Sequence, residues 1–242
     1  MYLIVDIGNT CAKLAVFDGA EMLCVEQCSN RTLDALPSLA ARYPFQRGIL
    51  SSVIDLDESV RAAWEALPFP RLQLNSHTPL PITHRYATPE TLGPDRIAAV
   101  VGAHDRFPNH DILVIDAGTA ITYDFIDHHG CYHGGNIAPG MAMRFKALHA
   151  FTGRLPLVES SADVPLLGDT TASAIQSGVV RGIQWEMEGC IRQLQRIYPD
   201  LLVFLTGGTT FSFDTNVKST IFADKFLVLK GLNRILRYND SL

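Results

Sequence analysis

The sequence predicts an α/β protein of two domains with mixed sheets and a ligand cleft between them, on three observations. First, Tyr2-Leu3-Ile4-Val5 runs into Asp6-Ile7-Gly8-Asn9-Thr10, and Ile112-Leu113-Val114-Ile115 runs into Asp116-Ala117-Gly118-Thr119. One device therefore occurs twice: a buried strand, an Asp at its end, then a Gly-containing turn with a hydroxyl. Second, each copy opens the same series of strand, turn, strand, hairpin and strand, followed by helix, strand and helix. The halves share no identity beyond the Asp-x-Gly turn, so the repeat is one of structure rather than of sequence. Third, 242 residues suffice for one large domain or two small ones.

The elements follow in order. Tyr2 to Val5 is a continuous apolar strand, Ala12 to Phe17 a second, and Asp18-Gly19 marks a hairpin before Glu21 to Gln27. Leu33 to Tyr43 has helical spacing, Arg47 to Val53 is a strand, and Asp57 to Leu67 is an amphipathic helix carrying Val60, Trp64 and Leu67 on one side. Arg71 to Leu74 is a short strand before the Pro-rich connection at 78–81. Pro94 suits the first position of a helix and Asp95 its first turn, ahead of the apolar run Ile97 to Ala103. The series restarts at Asp111, and a boundary there divides the chain into domains 1–110 and 111–242. Strands are expected at Ile112 to Ile115, Thr119 to Ile126 and Gly130 to Ile137, and helices at Met141 to Phe151 and Thr171 to Ile197. The second helix is expected to break or bend near Gly178 or Gly182. A strand at Leu201 to Leu205 ends in Thr206-Gly207-Gly208-Thr209, and Val228 to Tyr238 closes the chain as a helix.

Composition narrows the function. Hydrophobic residues make up 47% and charged residues 19%, which suits a folded globular chain. A net charge of -5 without any Lys/Arg block provides no footprint for nucleic acid. The N-terminus lacks a basic leader, Asp6 interrupts its apolar stretch, and no run approaches membrane-spanning length. A soluble cytoplasmic protein with no membrane partner is expected. The five scattered cysteines, Cys11, Cys24, Cys28, Cys131 and Cys190, contain no Cys-x-x-Cys pair and read as reduced thiols. A zinc site from Cys131 with His128, His129 and His133 competes with a plain hairpin turn, and the turn is preferred because no second ligand pair has metal spacing.

The two turns carry the chemistry. Glycine lets the backbone bend tightly and approach a ligand. The N–H groups and Thr hydroxyl of such a turn can hold phosphate oxygens, and its Asp can hold a cation or the cation's water shell. In the first turn Asn9, Thr10 and Lys13 add donors, Lys13 as a point charge on a flexible stem. There is no P-loop, and a strand rather than a helix follows the glycine, which excludes a Rossmann fingerprint. Asp95 can accept a proton from a substrate hydroxyl. A carboxylate at a helix N-terminus is a weak base, sufficient for phosphoryl transfer because positioning there matters more than proton abstraction. Arg96 offers a planar fork to a carboxylate or carbonyl. Thr170-Thr171 reads equally as a helix cap or a ligand hydroxyl.

Taken together the motifs resemble the acetate kinase/sugar kinase/heat-shock protein/actin superfamily and, more narrowly, type III pantothenate kinases. The match runs in family order: Asp-x-Gly-Asn-Thr-x-x-Lys at 6–13, Gly-x-Asp-Arg at 93–96, Asp-x-Gly-Thr-Ala at 116–120, Gly-Gly-x-Ile-x-Pro-Gly at 134–140 and Thr-Gly-Gly at 206–208. The resemblance implies two ribonuclease H-like (actin-like ATPase) domains with ATP in the cleft. It implies that Asp6, Gly8, Asn9, Thr10, Lys13, Gly118 and Thr119 hold ATP phosphates, with Gly207 and Gly208 toward the adenosine. Asp95 is the implied general base; Tyr86, Gly93, Pro94, Asp95, Arg96 and Thr171 bind pantothenate. Asp116 is implied to help bind a monovalent cation, K+ or NH4+, and Asp6 is the expected partner of Mg2+ through water. A homodimer is implied as well. The alternatives are a kinase of the same fold acting on a sugar or small acid, and a nucleotide-binding transcriptional regulator. One departure stands out: Thr170 precedes the pocket threonine where many relatives carry Asn or Asp, and Asp169 lies one place earlier.

Overall fold

The computed structural model describes residues 1–161, 163–208 and 221–241. They form two compact units: residues 1–109, 126–134 and 226–242 in the first, and 110–125 with 135–225 in the second.

In the first unit the strands are β1 (Tyr2–Ile7), β2 (Ala12–Asp18), β3 (Glu21–Cys28), β4 (Arg47–Ser52) and β5 (Arg71–Gln73), in the sheet order β3-β2-β1-β4-β5. β2 is antiparallel to β1 and to β3, whereas β4 is parallel to β1 and to β5, so the sheet is mixed as expected. The Asp18-Gly19 hairpin joins β2 to β3, with Gly19 at φ +56°. β1 is apolar on both faces because both are covered: Leu3, Ile4, Val5 and Ile7 are fully buried. Helices α1 (Leu36–Arg42) and α2 (Glu58–Glu65) follow β3 and β4, and place Leu36, Leu39, Val60 and Trp64 in the core around Leu3, Val5 and Leu14.

α1 begins later than the spacing from Leu33 predicts. Leu33 sits at φ +50°, outside helical geometry, and Pro37 occupies the opening turn that its missing N–H suits. After the strand β6 (Thr83–His84) and a 3-10 turn at Pro89–Thr91 comes α3 (Pro94–Arg106), with Gly93 at its N-cap.

The second unit repeats the order. β7 (Ile112–Ala117), β8 (Ala120–Ile126), β9 (Cys131–Pro139), α4 (Met141–Ala150), α5 (Thr171–Ile197), β10 (Leu202–Gly207) and β11 (Ile221–Ala223) give the sheet order β11-β10-β7-β8-β9, extended by β6 beyond β9. Read outward from the strand that ends in each Asp, both sheets place two successive strands on one side and the later pair on the other. The core gathers Leu113, Ile115 and Val203 from the strands with Ile175, Val179, Ile183, Met187 and Ile191 from α5, each four residues from the next.

Two expectations change. Helix α5 is one continuous helix, with no break at Gly178 or Gly182. Added Cβ atoms at Gly178, Gly182 and Gly189 would meet nothing within 4 Å among the described residues. Within that part of the chain these glycines serve no close approach, and they cost helix propensity. Gly189→Ala is therefore expected to stabilise the protein by about 0.5–1 kcal/mol, read as a rise in Tm of about 1–4 °C.

The closing helix α6 (Leu227–Asp240) belongs to the first unit rather than to residues 111–225. Its buried face, Leu227, Leu229, Leu232, Ile235 and Leu236, packs on α3. Gly231 and Gly102 let the two backbones meet, with a Cβ at Gly231 only 2.9 Å from the Gly102 nitrogen. Residues 126–134 also group with the first unit; there β6 pairs in parallel with the start of β9, Thr83 beside Cys131 and His84 beside Tyr132. No helix among the described residues is long and apolar enough to cross a membrane.

Candidate active site

In the first turn the Gly8 N–H donates to the Cys11 carbonyl at 3.0 Å, which closes the bend after β1. Asn30, beyond β3, donates through Nδ2 to the Gly8 carbonyl at 2.9 Å and the Asn9 carbonyl at 3.1 Å. Holding two turn carbonyls on one side chain sets the orientation of the turn's peptide groups, as an anion-binding loop requires. Asp6 and Lys13 face each other in the β1–β2 register, so their side chains leave the same face of the sheet. Asn9 and Thr10 are exposed. The structure thus brings Asp6, Gly8, Asn9, Thr10 and Lys13 together, and adds Asn30.

At the N-terminus of α3, Asp95 folds back on its own helix. Its Oδ1 accepts the Arg96 N–H at 2.8 Å, and a Cβ on Gly93 would lie 2.6 Å from that oxygen. Gly93 is the residue whose missing side chain makes room for the carboxylate. Arg96 is only 5% exposed, and its Nη1 donates to the Tyr86 hydroxyl at 3.3 Å while the guanidinium lies 5.7 Å from the ring centroid. Tyr86 in turn stacks on Tyr132, centroids 6.1 Å apart and planes 12° apart. Gly134, at φ +102°, leaves space against Tyr86, where a Cβ would come within 3.3 Å of the ring. Gly93, Pro94, Asp95, Arg96 and Tyr86 therefore form one cluster, supported from behind by Tyr132. A cavity of about 260 Å³ adjoins Pro94, walled by Leu74, Leu80, Leu92 and Ile97 with Ser52 and His84.

The second unit gathers three glycine motifs around one carboxylate. The Gly118 N–H donates to the Ala120 carbonyl at 3.0 Å, and the Gly140 N–H to the Thr119 carbonyl at 3.1 Å. A Cβ on Gly140 would collide with the Gly118 and Thr119 carbonyls. Thr206 and Gly207 lie beside Asp116 and Ala117 in the β10–β7 register, and Gly207 has φ +100°. A Cβ there would lie 2.6 Å from Asp116 Oδ1 and 2.5 Å from the Ala117 carbonyl oxygen. Asp116 accordingly sits in a cradle only glycine can line, with backbone oxygens nearby, a donor set suited to a hard cation. Gly208 is exposed and an added Cβ meets nothing within 4 Å among the described residues; Thr209 lies outside them.

Side chains that sequence reasoning did not select hold this arrangement. Glu186 on α5 accepts the Tyr123 hydroxyl at 2.7 Å and Arg144 Nη2 at 2.7 Å, while Arg144 Nε donates to the Pro139 carbonyl at 2.7 Å. Burial, reinforced by the Glu186 carboxylate, pushes the Tyr123 phenol far above its ordinary range, so it stays a donor. The network pins the start of α4, and with it Gly140, beside the second turn.

Thr171 is the first residue of α5, and the cap is Thr170, which accepts the Ser173 N–H at 3.1 Å while Ser173 Oγ accepts the Thr170 N–H at 2.9 Å. Thr171 is exposed, leaving its hydroxyl outside the cap, and it lines a groove of the second unit with Arg144, Leu148, Phe151 and Ile175. In the zinc reading, Cys131 and His133 do come together, but with Asp127 rather than with His128 and His129, whose rings lie against each other at 4.0 Å.

A family model described as type III pantothenate kinase matches residues 2–193. Over 242 residues the chain is 60% identical to the type III pantothenate kinase of Phocaeicola vulgatus, covering the whole of both. Among solved structures, one described as a Baf family transcriptional activator from Campylobacter jejuni superposes with a TM-score of 0.62 at 24% identity, covering 99% of this chain and 100% of that one. A ROK family glucokinase from Streptomyces griseus gives 0.53 at 13% identity, covering 98% and 99%. These likenesses concern the fold, which is that of the actin-like ATPases and sugar kinases, with mixed sheets as expected. A family match across most of the length and a full-length relative at 60% identity make the assignment plain: the chain belongs to the type III pantothenate kinase family.

Proposed function

We infer that this protein transfers the γ-phosphoryl group of ATP to the primary hydroxyl of pantothenate, giving 4'-phosphopantothenate at the start of coenzyme A synthesis. The observation that carries the reading, in a chain of this family, is the cluster at the N-terminus of α3: the Asp95 carboxylate on the Arg96 N–H, and the buried Arg96 side chain on Tyr86. Asp95 accepts the hydroxyl proton as the phosphoryl group leaves ATP. The loose transition state makes that late and weak proton transfer sufficient. Arg96, held against Tyr86, presents a fixed fork to the pantothenate carboxylate or amide, and the Leu74, Leu92 and Ile97 wall suits the gem-dimethyl group. Thr171 supplies a further hydroxyl.

Asp6 to Lys13 and Gly118-Thr119 are the proposed phosphate turns, and Gly207-Gly208 the adenosine side. Asp6 is the proposed partner of Mg2+ through water and Asp116 that of K+ or NH4+; each carboxylate is one residue from the end of its strand, and the Asp116 cradle suits a hard cation. The cations neutralise charge developing on the phosphates. A cytoplasmic homodimer completes the reading. Its support is the apolar exposure on α5 and after α4, where Phe151 is 88% and Trp185 53% exposed.

The decisive assay is ADP release from ATP and Mg2+, with and without pantothenate, in potassium and in sodium buffer. Turnover that requires both pantothenate and potassium is expected. ATP binding with no turnover in either salt would instead point to another substrate or to a regulator. Lys13→Ala is expected to weaken ATP binding about tenfold or more, on the scale of one charge-assisted phosphate contact, with pantothenate binding unchanged. Calorimetry on each ligand separately checks this, and a change confined to pantothenate would remove the first turn from the nucleotide site.

A further inference from the structure

The β8–β9 hairpin ends in residues the kinase reaction does not use. Asp127 closes β8, and its Oδ1 accepts the backbone N–H of His129 at 2.9 Å and of Cys131 at 3.0 Å. The Asp127 N–H returns to the Cys131 carbonyl at 3.0 Å, and Gly130, at φ +75°, completes the bend. One carboxylate oxygen is thus spent on shaping the turn, and the other is directed at His133, whose Nε2 lies 2.6 Å from Oδ2. Cys131 and His133 are two apart on β9 and share a face. Tyr132, between them, faces the other way and stacks on Tyr86. The donor atoms of Asp127, Cys131 and His133 all lie within 4.8 Å of one another.

We propose that Asp127, Cys131 and His133 form a binding site for one divalent ion of the zinc class, separate from the cations of the phosphate site. Thiolate and imidazole beside one carboxylate suit borderline ions such as zinc, whereas Mg2+ and Ca2+ favour all-oxygen shells. Tetrahedral bonds of about 2.0–2.3 Å place ligand atoms roughly 3.5 Å apart. The trio already lies within 4.8 Å, and Asp127 Oδ1 holds the hairpin that carries it. Solvent occupies the fourth position. The ion replaces the Cys131 thiol proton, which leaves to solvent, and the proton held between His133 Nε2 and Asp127 Oδ2, which leaves to solvent or moves to Nδ1. The site lies on the face of β9 opposite the Tyr86–Tyr132 stack, so filling it leaves that stack undisturbed.

The test is a Co2+ titration of the full-length protein without nucleotide, followed by absorbance. One equivalent is expected to bind with a thiolate-to-cobalt charge-transfer band and the intense visible bands of a four-coordinate site. Zn2+ should displace it and excess Mg2+ should not. Cys131→Ser should abolish the charge-transfer band, and His133→Gln should weaken binding by more than about tenfold. Zn2+ should raise the Tm of the unaltered protein and not that of either variant. Both variants are expected to keep Mg2+-dependent kinase turnover, so the result is read independently of the function proposed above. The proposal is overturned if no saturable binding occurs below about 1 mM. A charge-transfer band that survives Cys131→Ser overturns it too, because another cysteine would then be the ligand.

Discussion

Asp95→Asn is expected to lower kcat for pantothenate phosphorylation by about 10²-fold or more, the usual scale for loss of a general base. The change removes the basicity and the charge and keeps the shape of the side chain. An Asn carbonyl oxygen can still accept the Arg96 N–H that Asp95 accepts at 2.8 Å, and it occupies the space that Gly93 leaves. Fold, Tm and ATP affinity should therefore stay near those of the unaltered protein, and KM for pantothenate should move far less than kcat. That split separates a proton acceptor from a residue that merely holds the helix start. A structural role would instead raise KM, or lower Tm by more than the roughly 0.3–1 kcal/mol that loss of a first-turn charge costs by itself. Unchanged turnover in this variant, with ATP and pantothenate bound normally, would take Asp95 out of the reaction.

The parts of the site legible in sequence are those encoded by neighbours along the chain. An apolar run followed by Asp-x-Gly is local, and β1 with its turn and β7 with its turn fall where the pattern places them. Gly93 at the N-cap of α3, with Pro94 next, is local in the same way. Asn30 was not legible, because it acts on Gly8 and Asn9 from beyond two intervening strands. Nothing around residue 30 marks it. The Tyr123–Glu186–Arg144 network was missed for the same reason, since its members come from β8, α5 and α4. Thr170-Thr171 reads equally as a cap or a ligand hydroxyl in sequence, and the structure makes Thr170 the cap, with Ser173 at the third helical position returning the hydrogen bond. Helical glycines misled in both directions. Gly178 and Gly182 suggested a bend where the helix has open space around them, whereas Gly102 and Gly231 passed unremarked and turned out to be a contact between helices.

Gly231→Ala is the variant in which that contact becomes measurable, and two effects of opposite sign compete there. Helix propensity favours alanine by about 1 kcal/mol. Against it, the new Cβ would fall inside the carbonyl of Ala98 and within 2.9 Å of the Gly102 nitrogen. Both neighbours are backbone atoms of α3, so no side-chain rotation relieves the clash. The helices must part, which loosens the packing of α6, with its buried Leu227, Leu232, Ile235 and Leu236, against α3. Overpacking of this kind costs about 1–3 kcal/mol and at times more; with no flexible atom to yield, the upper end applies and outweighs the propensity gain. The expected net loss is about 2 kcal/mol, a fall in Tm of about 4–8 °C for a chain of this size. Gly189→Ala, with open space at its Cβ, should shift Tm the other way, so the pair isolates the helix contact from propensity. Activity should fall as well, because α3 carries Asp95 and Arg96 on its first turn, and a displaced helix misplaces the proposed base. A Gly231→Ala protein as stable as Gly189→Ala would mean that α3 and α6 do not meet at these glycines.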